Sequence, residues 1–250
     1  MSSQAAYRVL YTRPEPAHAF EARLRSAGCA LLRIPLIRIA APASWDALDA
    51  ALARLASYDG IILTSVQAAR WFSGRLIDCG IEEPSLPPVH VVGPKTAAAA
   101  KDIGLAVEQL PSASYGATLA AEMKDVEGKR YLQPTSDIAR DELVRVLAER
   151  GARVEQVAAY RTLPATDDEI RRLRVAAEEG FDCVAFFSPS AVRQFRAALT
   201  DWQQGATRVA VIGDTTADEA ERTGLRVDII AAEQTAESLA ESIARAMHDR

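Results

Sequence analysis

Two stretches decide the fold: Asp59–Phe72, DGIILTSVQAARWF, and Asp182–Phe195, DCVAFFSPSAVRQF. Each opens on an aspartate, runs through a short apolar segment with no polar alternation, meets a hydroxyl residue and continues at helical spacing. An apolar run of this length, rich in β-branched and aromatic residues, reads as a parallel strand buried on both faces. The hydroxyl residue is a preferred cap for the helix that follows. Strand, turn and helix therefore appear twice in the same order.

Working outward, the match extends. Val89–Leu110 (VHVVGPKTAAAAKDIGLAVEQL) is similar to Thr207–Ile230 (TRVAVIGDTTADEAERTGLRVDII), and Arg8–Gly28 is similar to Lys129–Gly151. Pro14 to Pro134 is 120 residues, Ser65 to Ser188 is 123 and Gly93 to Gly213 is 120. Agreement this close predicts an internal duplication. Val9–Tyr11, Ile61–Leu63, Val89–Val92, Val184–Phe187 and Val209–Ile212 are the strands it predicts. Helices are expected where Leu48, Leu52 and Leu55 follow Ser44, and where Leu239, Ile243 and Met247 follow Thr235. Thr166-Asp167-Asp168-Glu169 has the form of a capping box opening another. Strands alternating with helices of this length give an α/β chain of doubly wound parallel sheets.

Two extended stretches break the rhythm, Pro35–Pro42 (PLIRIAAP) and Val154–Pro164 (VEQVAAYRTLP), at equivalent places in the two repeats. If the chain crosses between domains at both, residues 1–34 join 165–250 in a discontinuous flavodoxin-like domain. Residues 43–153 form a second α/β domain, and 35–42 and 154–164 become a two-stranded antiparallel hinge. Two consecutive domains split near Val126 are the simpler alternative, and the residues alone leave both open.

Composition narrows the function. The chain has 250 residues, 49% hydrophobic, enough for two cores. Its 29 basic and 34 acidic residues give a net charge of −5, against a nucleic-acid surface. No apolar stretch is long enough to span a membrane, and no basic and apolar leader opens the chain, so a cytoplasmic protein is expected. Cys29, Cys79 and Cys183 lack CxxC spacing and read as buried reduced thiols. His18, His90 and His248 lack ligand spacing, so no metal is expected. There is no GxGxxG, Walker loop or GxSxG elbow, so no nucleotide cofactor or serine triad is expected either.

What remains is a recurrent signal at strand-to-helix junctions: Thr12-Arg13-Pro14, Thr64-Ser65, Gly93-Pro94-Lys95-Thr96, Ser188-Pro189-Ser190 and Gly213-Asp214-Thr215-Thr216. In an open α/β sheet the carboxyl ends of strands face the ligand crevice. A helix starting there offers free N–H groups and a partial positive charge to an anion. Any one of these hydroxyls is first of all a helix cap. Five junctions, four of them in two matched pairs, predict an anion-binding crevice. Tyr160, in a crossing stretch, either packs its ring or presents its hydroxyl as a weak acid.

TS-x-x-A at Thr64–Ala68, VVG-x-x-TA at Val91–Ala97, Y-x-T at Tyr160–Thr162, FFSPSAV at Phe186–Val192, IG-x-TTA at Ile212–Ala217 and T-x-x-S-L at Thr235–Leu239 together resemble the uroporphyrinogen-III synthase family. The resemblance runs from about Arg8 to Met247. It implies two domains joined by a two-stranded ladder, with the active site in the cleft. It also implies the reaction, in which hydroxymethylbilane loses water and closes to uroporphyrinogen III, ring D being inverted through a spiro intermediate, without a cofactor. Tyr160 is then the expected acid or hydrogen-bond donor. Ser65, Thr96, Ser188, Thr215 and Thr216 are expected to line the cleft, and Arg13, Arg140 and Arg208 to pair with substrate carboxylates. Asp214 departs from the family pattern, which often has proline after the glycine. A monomer in transient contact with the bilane-forming enzyme is expected. A binding module without turnover, a phosphosugar transferase and a flavin electron carrier are the rival classes.

Overall fold

The computed structural model of the chain describes residues 7–81, 86–109, 112, 116–139 and 141–248. β1 (Arg8–Tyr11) leads through α1 (His18–Ser26) to β2 (Ala30–Arg33), followed by β3 (Ile37–Ala40) and α2 (Asp46–Leu52). Next come β4 (Gly60–Leu63), α3 (Val66–Asp78), β5 (Val89–Val91), α4 (Pro94–Asp102), β6 (Val107–Gln109) and α5 (Gly116–Glu122). β7 (Arg130–Ser136), α6 (Glu142–Glu149), β8 (Arg153–Pro164) and α7 (Asp167–Glu179) continue the chain. It ends with β9 (Cys183–Phe186), α8 (Pro189–Ala198), β10 (Arg208–Val211), α9 (Asp214–Arg222), β11 (Ile229–Ile230) and α10 (Ala236–His248).

The chain divides into two compact units, Met1–Arg38 with Leu163–Arg250, and Ile39–Thr162. The first holds a sheet of order β11-β10-β9-β1-β2, all pairs parallel. Alternate residues of each strand point to opposite faces. Val9, Tyr11, Cys183 and Ala185 accordingly pack with Phe20 and Leu24 of α1 and Leu239 and Ile243 of α10. Leu10, Val184 and Phe186 pack on the other face with Leu173, Val192, Phe195 and Ala217. Both faces are covered, which is why these strands carry no polar alternation.

The second unit repeats the scheme with the order β3-β8-β7-β4-β5-β6. Ile61, Leu63 and Leu132 meet Leu48, Phe72 and Ala97 on one face, and Ile62 and Tyr131 meet Leu119, Leu143 and Leu147 on the other. Phe72 of α3 and Phe195 of α8, at the same place in the two opening stretches, are both fully buried. Truncating either to alanine should cost about 3–5 kcal/mol.

The leading aspartates also have a structural job. Asp182 accepts the Arg8 N–H at 2.8 Å, and Asp59 accepts the Arg130 N–H at 2.9 Å. In each unit one carboxylate ties the amino ends of two central parallel strands together. This pairing sets Arg8 against Arg130, so the strands align by a slightly different count than Pro14 and Pro134 suggest.

Some expectations are revised. The stretch 154–164, expected as a crossing linker, contains the division between the units at Thr162/Leu163 and is also strand: it lies in β8, which pairs with β7 from Arg153 to Tyr160 with one shift of register. Thr166 does form its capping box with Glu169. Ser44 accepts the Asp46 N–H at 3.0 Å but lies one residue before the cap of α2, and Leu55 falls in a 3-10 turn beyond it. Cys29 and Cys183 are buried, whereas Cys79 is exposed at the end of α3, 3.9 Å from Asp49 Oδ1.

Candidate functional site

Ligands of open parallel sheets sit beyond the carboxyl ends of the strands, at the point where the strand order reverses. That point lies between β1 and β9 in the first unit and between β7 and β4 in the second.

In the second unit the strand β4 ends in Leu63-Thr64-Ser65. Ser65 Oγ accepts the Ala68 N–H at 3.0 Å and so caps α3. The same oxygen lies 3.2 Å from the hydroxyl of Tyr160, whose ring is part of the core against α3. Tyr160 is 8% exposed. Burial raises its pKa, the Ser65 hydrogen bond opposes that, and the Asp137 charge adds to the rise. At neutral pH the group is therefore a phenol carrying its proton.

The register of β7 against β8 shifts between Thr135 and Ser136, where Ser136 comes opposite Tyr160. Such a bulge re-aims side chains at a strand end. It is held by side chains: Ser136 Oγ lies 3.1 Å from Thr162 Oγ1, and Asp137 Oδ1 accepts the Thr162 N–H at 3.1 Å. The threonine of the Y-x-T motif thus braces the bulge beside Tyr160. Ser136 and Asp137 were missed in the sequence, where the only signal is a hydroxyl-and-acid run closing a strand.

In the first unit Ser188 caps α8 through the Ala191 N–H at 3.3 Å, and its Oγ lies 3.1 Å from that of Ser190. The guanidinium of Arg13 stands 5.8 Å from the centre of the Phe187 ring. Phe187 in turn packs edge-on to Tyr11 and Phe20. Under this stack Tyr11 donates to Glu21, whose other oxygen is 3.0 Å from Arg25. The Tyr11 bond, ahead of Arg25, holds the Glu21 carboxyl below its ordinary value. Arg33, also missed, ends β2 and donates to the Pro14 carbonyl at 2.7 Å, bracing the turn that carries Arg13. Thr12 donates to the Ala185 carbonyl at 3.1 Å and is structural.

At the remaining two junctions the caps are Gly93 and Gly213, with no side-chain cap. Thr96 and Thr216 stand inside α4 and α9, at 5% and 2% exposure, so neither caps its helix as expected. Gly93 has φ +78°, where a side chain is strained. Gly213 is extended, but a Cβ there would come within 2.9 Å of the Gln234 side chain. Thr215 is half-buried and Lys95 exposed. T-x-x-S-L is a cap: Thr235 accepts the Ser238 N–H and Ser238 accepts the Glu233 N–H, both at 3.0 Å.

The structure does not bring every expected cation to these junctions. Arg208 opens β10, at the amino end of the strand, and donates to the Ala246 carbonyl of α10. A carboxylate-binding role at the junctions does not fit that position. Arg140 lies outside the described residues. A pocket of about 280 Å³ lined by Tyr58, Arg130, Tyr131, Arg153, Val154 and Glu155 lies likewise at the amino ends of β7 and β8. Among the described residues no group of three or more His, Cys, Asp or Glu could hold a metal ion, and no helix is long and apolar enough to cross a membrane.

Flavodoxin-like sheet orders, with helices starting beyond the carboxyl ends of the strands, define a two-unit α/β protein. The family model described as uroporphyrinogen-III synthase HemD matches residues 18–241. Uroporphyrinogen-III synthase of Chlorobaculum parvum is 28% identical over 247 residues, 96% of this chain and 98% of that protein. That of Synechococcus elongatus is 30% identical over 235 residues, 88% of this chain and 87% of that one. The chain belongs to the uroporphyrinogen-III synthase family. The fold agrees: a Thermus thermophilus uroporphyrinogen III synthase structure matches with TM-score 0.72 at 22% identity, covering 98% of this chain and 100% of that one. The Helicobacter pylori protein matches with TM-score 0.61 at 16% identity, with the same coverage.

Proposed function

We propose that this chain converts hydroxymethylbilane to uroporphyrinogen III. The observation that carries the reading is a buried, protonated tyrosine of β8, opposite the carboxyl end of β7, in a chain whose family match spans residues 18–241. Tyr160 gives its proton to the departing hydroxyl of ring A, the C–O bond breaks and water leaves, and an azafulvenium cation forms. Ring D attacks through its substituted carbon, and the spiro intermediate rearranges with that ring inverted. The proton released as ring D regains aromaticity returns to the phenolate, so the balance is loss of one water.

The rest of the work is holding. The bilane closes unaided to the uninverted isomer, so the protein must make the less accessible carbon the near one. Arg13, Ser188, Thr215 and Thr216 of the first unit and Thr96 of the second are the groups proposed to take acetate and propionate carboxylates. The orphan N–H groups and partial positive charge of α4, α8 and α9 support this. They also answer the net charge of −5, since local potential outweighs a diffuse total. The protein is read as a monomer, meeting the bilane-forming enzyme only transiently.

The test is the isomer composition formed when the pure protein meets freshly generated hydroxymethylbilane. Mainly the inverted isomer is expected. A product matching the buffer-only reaction would leave a binding module in place of an enzyme.

A further inference from the structure

We propose that Ser65 is a positioning residue for the reaction, which donates its only hydroxyl proton to Tyr160 Oη and so turns the phenol proton outward for transfer. The inference rests on the assignment of Tyr160 above. It also removes Ser65 from the groups expected to hold a substrate carboxylate.

The number of protons on the two hydroxyls decides the direction. A serine hydroxyl has one O–H and two lone pairs. One lone pair of Ser65 is taken by the Ala68 N–H at 3.0 Å. The contact with Tyr160 at 3.2 Å can then run either way. If Tyr160 donated to Ser65, its proton would be spent inside the protein and no acid would remain for the substrate. The surroundings of Ser65 favour the opposite direction. It sits at the N-terminus of α3, a helix of 13 residues, where the partial positive charge repels a proton pointed at it and favours one pointed away. Accepting the Ala68 N–H also polarises the Ser65 O–H and makes it a stronger donor.

The resulting chain runs from the Ala68 N–H through Ser65 Oγ–H to the Tyr160 oxygen, leaving the phenol proton at its outer end. Negative charge that appears on the Tyr160 oxygen as its proton leaves meets a donor already in place. Hydrogen bonds to a charged acceptor are roughly twice as strong as neutral ones, so the contact strengthens as the reaction proceeds. The Thr162 brace fixes the backbone around Tyr160. Ser65 with its spent proton has none left for a carboxylate, so it should affect turnover and not binding.

The experiment compares Ser65→Gly, Ser65→Thr and Tyr160→Phe, singly and as Ser65→Gly with Tyr160→Phe. Glycine in place of a serine cap costs only a few tenths of a kcal/mol, so Ser65→Gly should fold. Its kcat should fall about tenfold or more, less than the 10² to 10⁴ of a lost general acid, with KM unchanged. Ser65→Thr should restore kcat. In the Tyr160→Phe background Ser65→Gly should do nothing further to kcat. Labelled-tyrosine NMR should show the Tyr160 phenol titrating at higher pH in Ser65→Gly than in the parent protein. Full activity in Ser65→Gly, or a rise in KM with kcat intact, overturns the proposal while Tyr160→Phe still reports on the acid. Full activity in Tyr160→Phe removes the acid assignment itself.

Discussion

Ser65 in the second unit and Ser188 in the first follow matched strands, and each accepts the N–H three residues on, at 3.0 and 3.3 Å. Their second partners differ. Ser65 meets the phenol of Tyr160, and Ser188 meets another serine, Ser190. The difference originates on the neighbouring strand. Tyr160 stands four residues beyond Gln156, which lies opposite Gln133 of β7; four residues beyond Arg33, which lies opposite Tyr11 of β1, is Ile37. One local structure thus meets two different partners, set by what the adjacent strand delivers to it. We assign proton transfer to the second unit and carboxylate binding chiefly to the first.

The sharpest break of that division is Tyr160→Phe, for which turnover should fall by about 10² to 10⁴ with KM and melting temperature nearly unchanged. A loss well below tenfold would mean that the reaction proceeds by holding alone. Next is Thr216→Ala in the first unit. Thr216 does not cap α9, so the loss should appear in substrate handling: about tenfold or more in kcat/KM, as for a hydrogen bond to a charged group. Thr216→Ser should be mild and Thr96→Ala weaker than Thr216→Ala. Earlier melting of Thr216→Ala with full activity in the cold would make it structural.

The glycine pair sharpens the comparison through stability. Gly93→Ala meets a backbone strain of about 1–3 kcal/mol, because φ there is +78°. Gly213→Ala asks only that the exposed Gln234 side chain move, and should melt closer to the parent protein. Equal losses in thermal melts would contradict the two separate causes.

The smallest effect concerns pH. Tyr11 donates to Glu21, whereas at the matched place Gln156 donates to Gln133 at 3.1 Å, a neutral pair. The Glu21 carboxyl is held below its ordinary value of about 4.5 in the fold. The stability from this pair is therefore full above that value and is lost as pH falls through the folded pKa. Tyr11→Phe should cost about 1.5–3 kcal/mol at pH 7 and progressively less as the pH falls below the ordinary carboxyl value, by denaturant melts. Gln156→Met should cost the same throughout. A pH-independent Tyr11→Phe would show that Glu21 draws nothing from the phenol.

Much of this was legible in the residues. Ile61–Leu63 and Val184–Phe186 read as strands because burial on both faces removes alternation, and Thr166 announced its own cap. The junctions were legible because hydroxyls and glycines follow apolar runs. Their division of labour was not. Nothing local marks Gly93 and Gly213 as the caps in place of Thr96 and Thr216. The continuation of β8 up to Tyr160 depends on pairing with β7, a non-local fact masked by the polar Glu155 and Gln156. The bulge that recruits Asp137 and Thr162 has no local signature either. Arg208 could have been placed: it precedes Val209, and a residue before a parallel strand lies at the end away from the ligand.

We assign to Tyr160 the supply of a proton and no part in shaping the substrate. The most direct test is the isomer composition from Tyr160→Phe protein in excess over hydroxymethylbilane, so that every bilane closes while bound. Slow closure that still gives mainly the inverted isomer is expected, because the groups proposed to hold the carboxylates are intact. Product of mainly the uninverted isomer under these conditions would contradict this assignment and make Tyr160 a determinant of substrate shape.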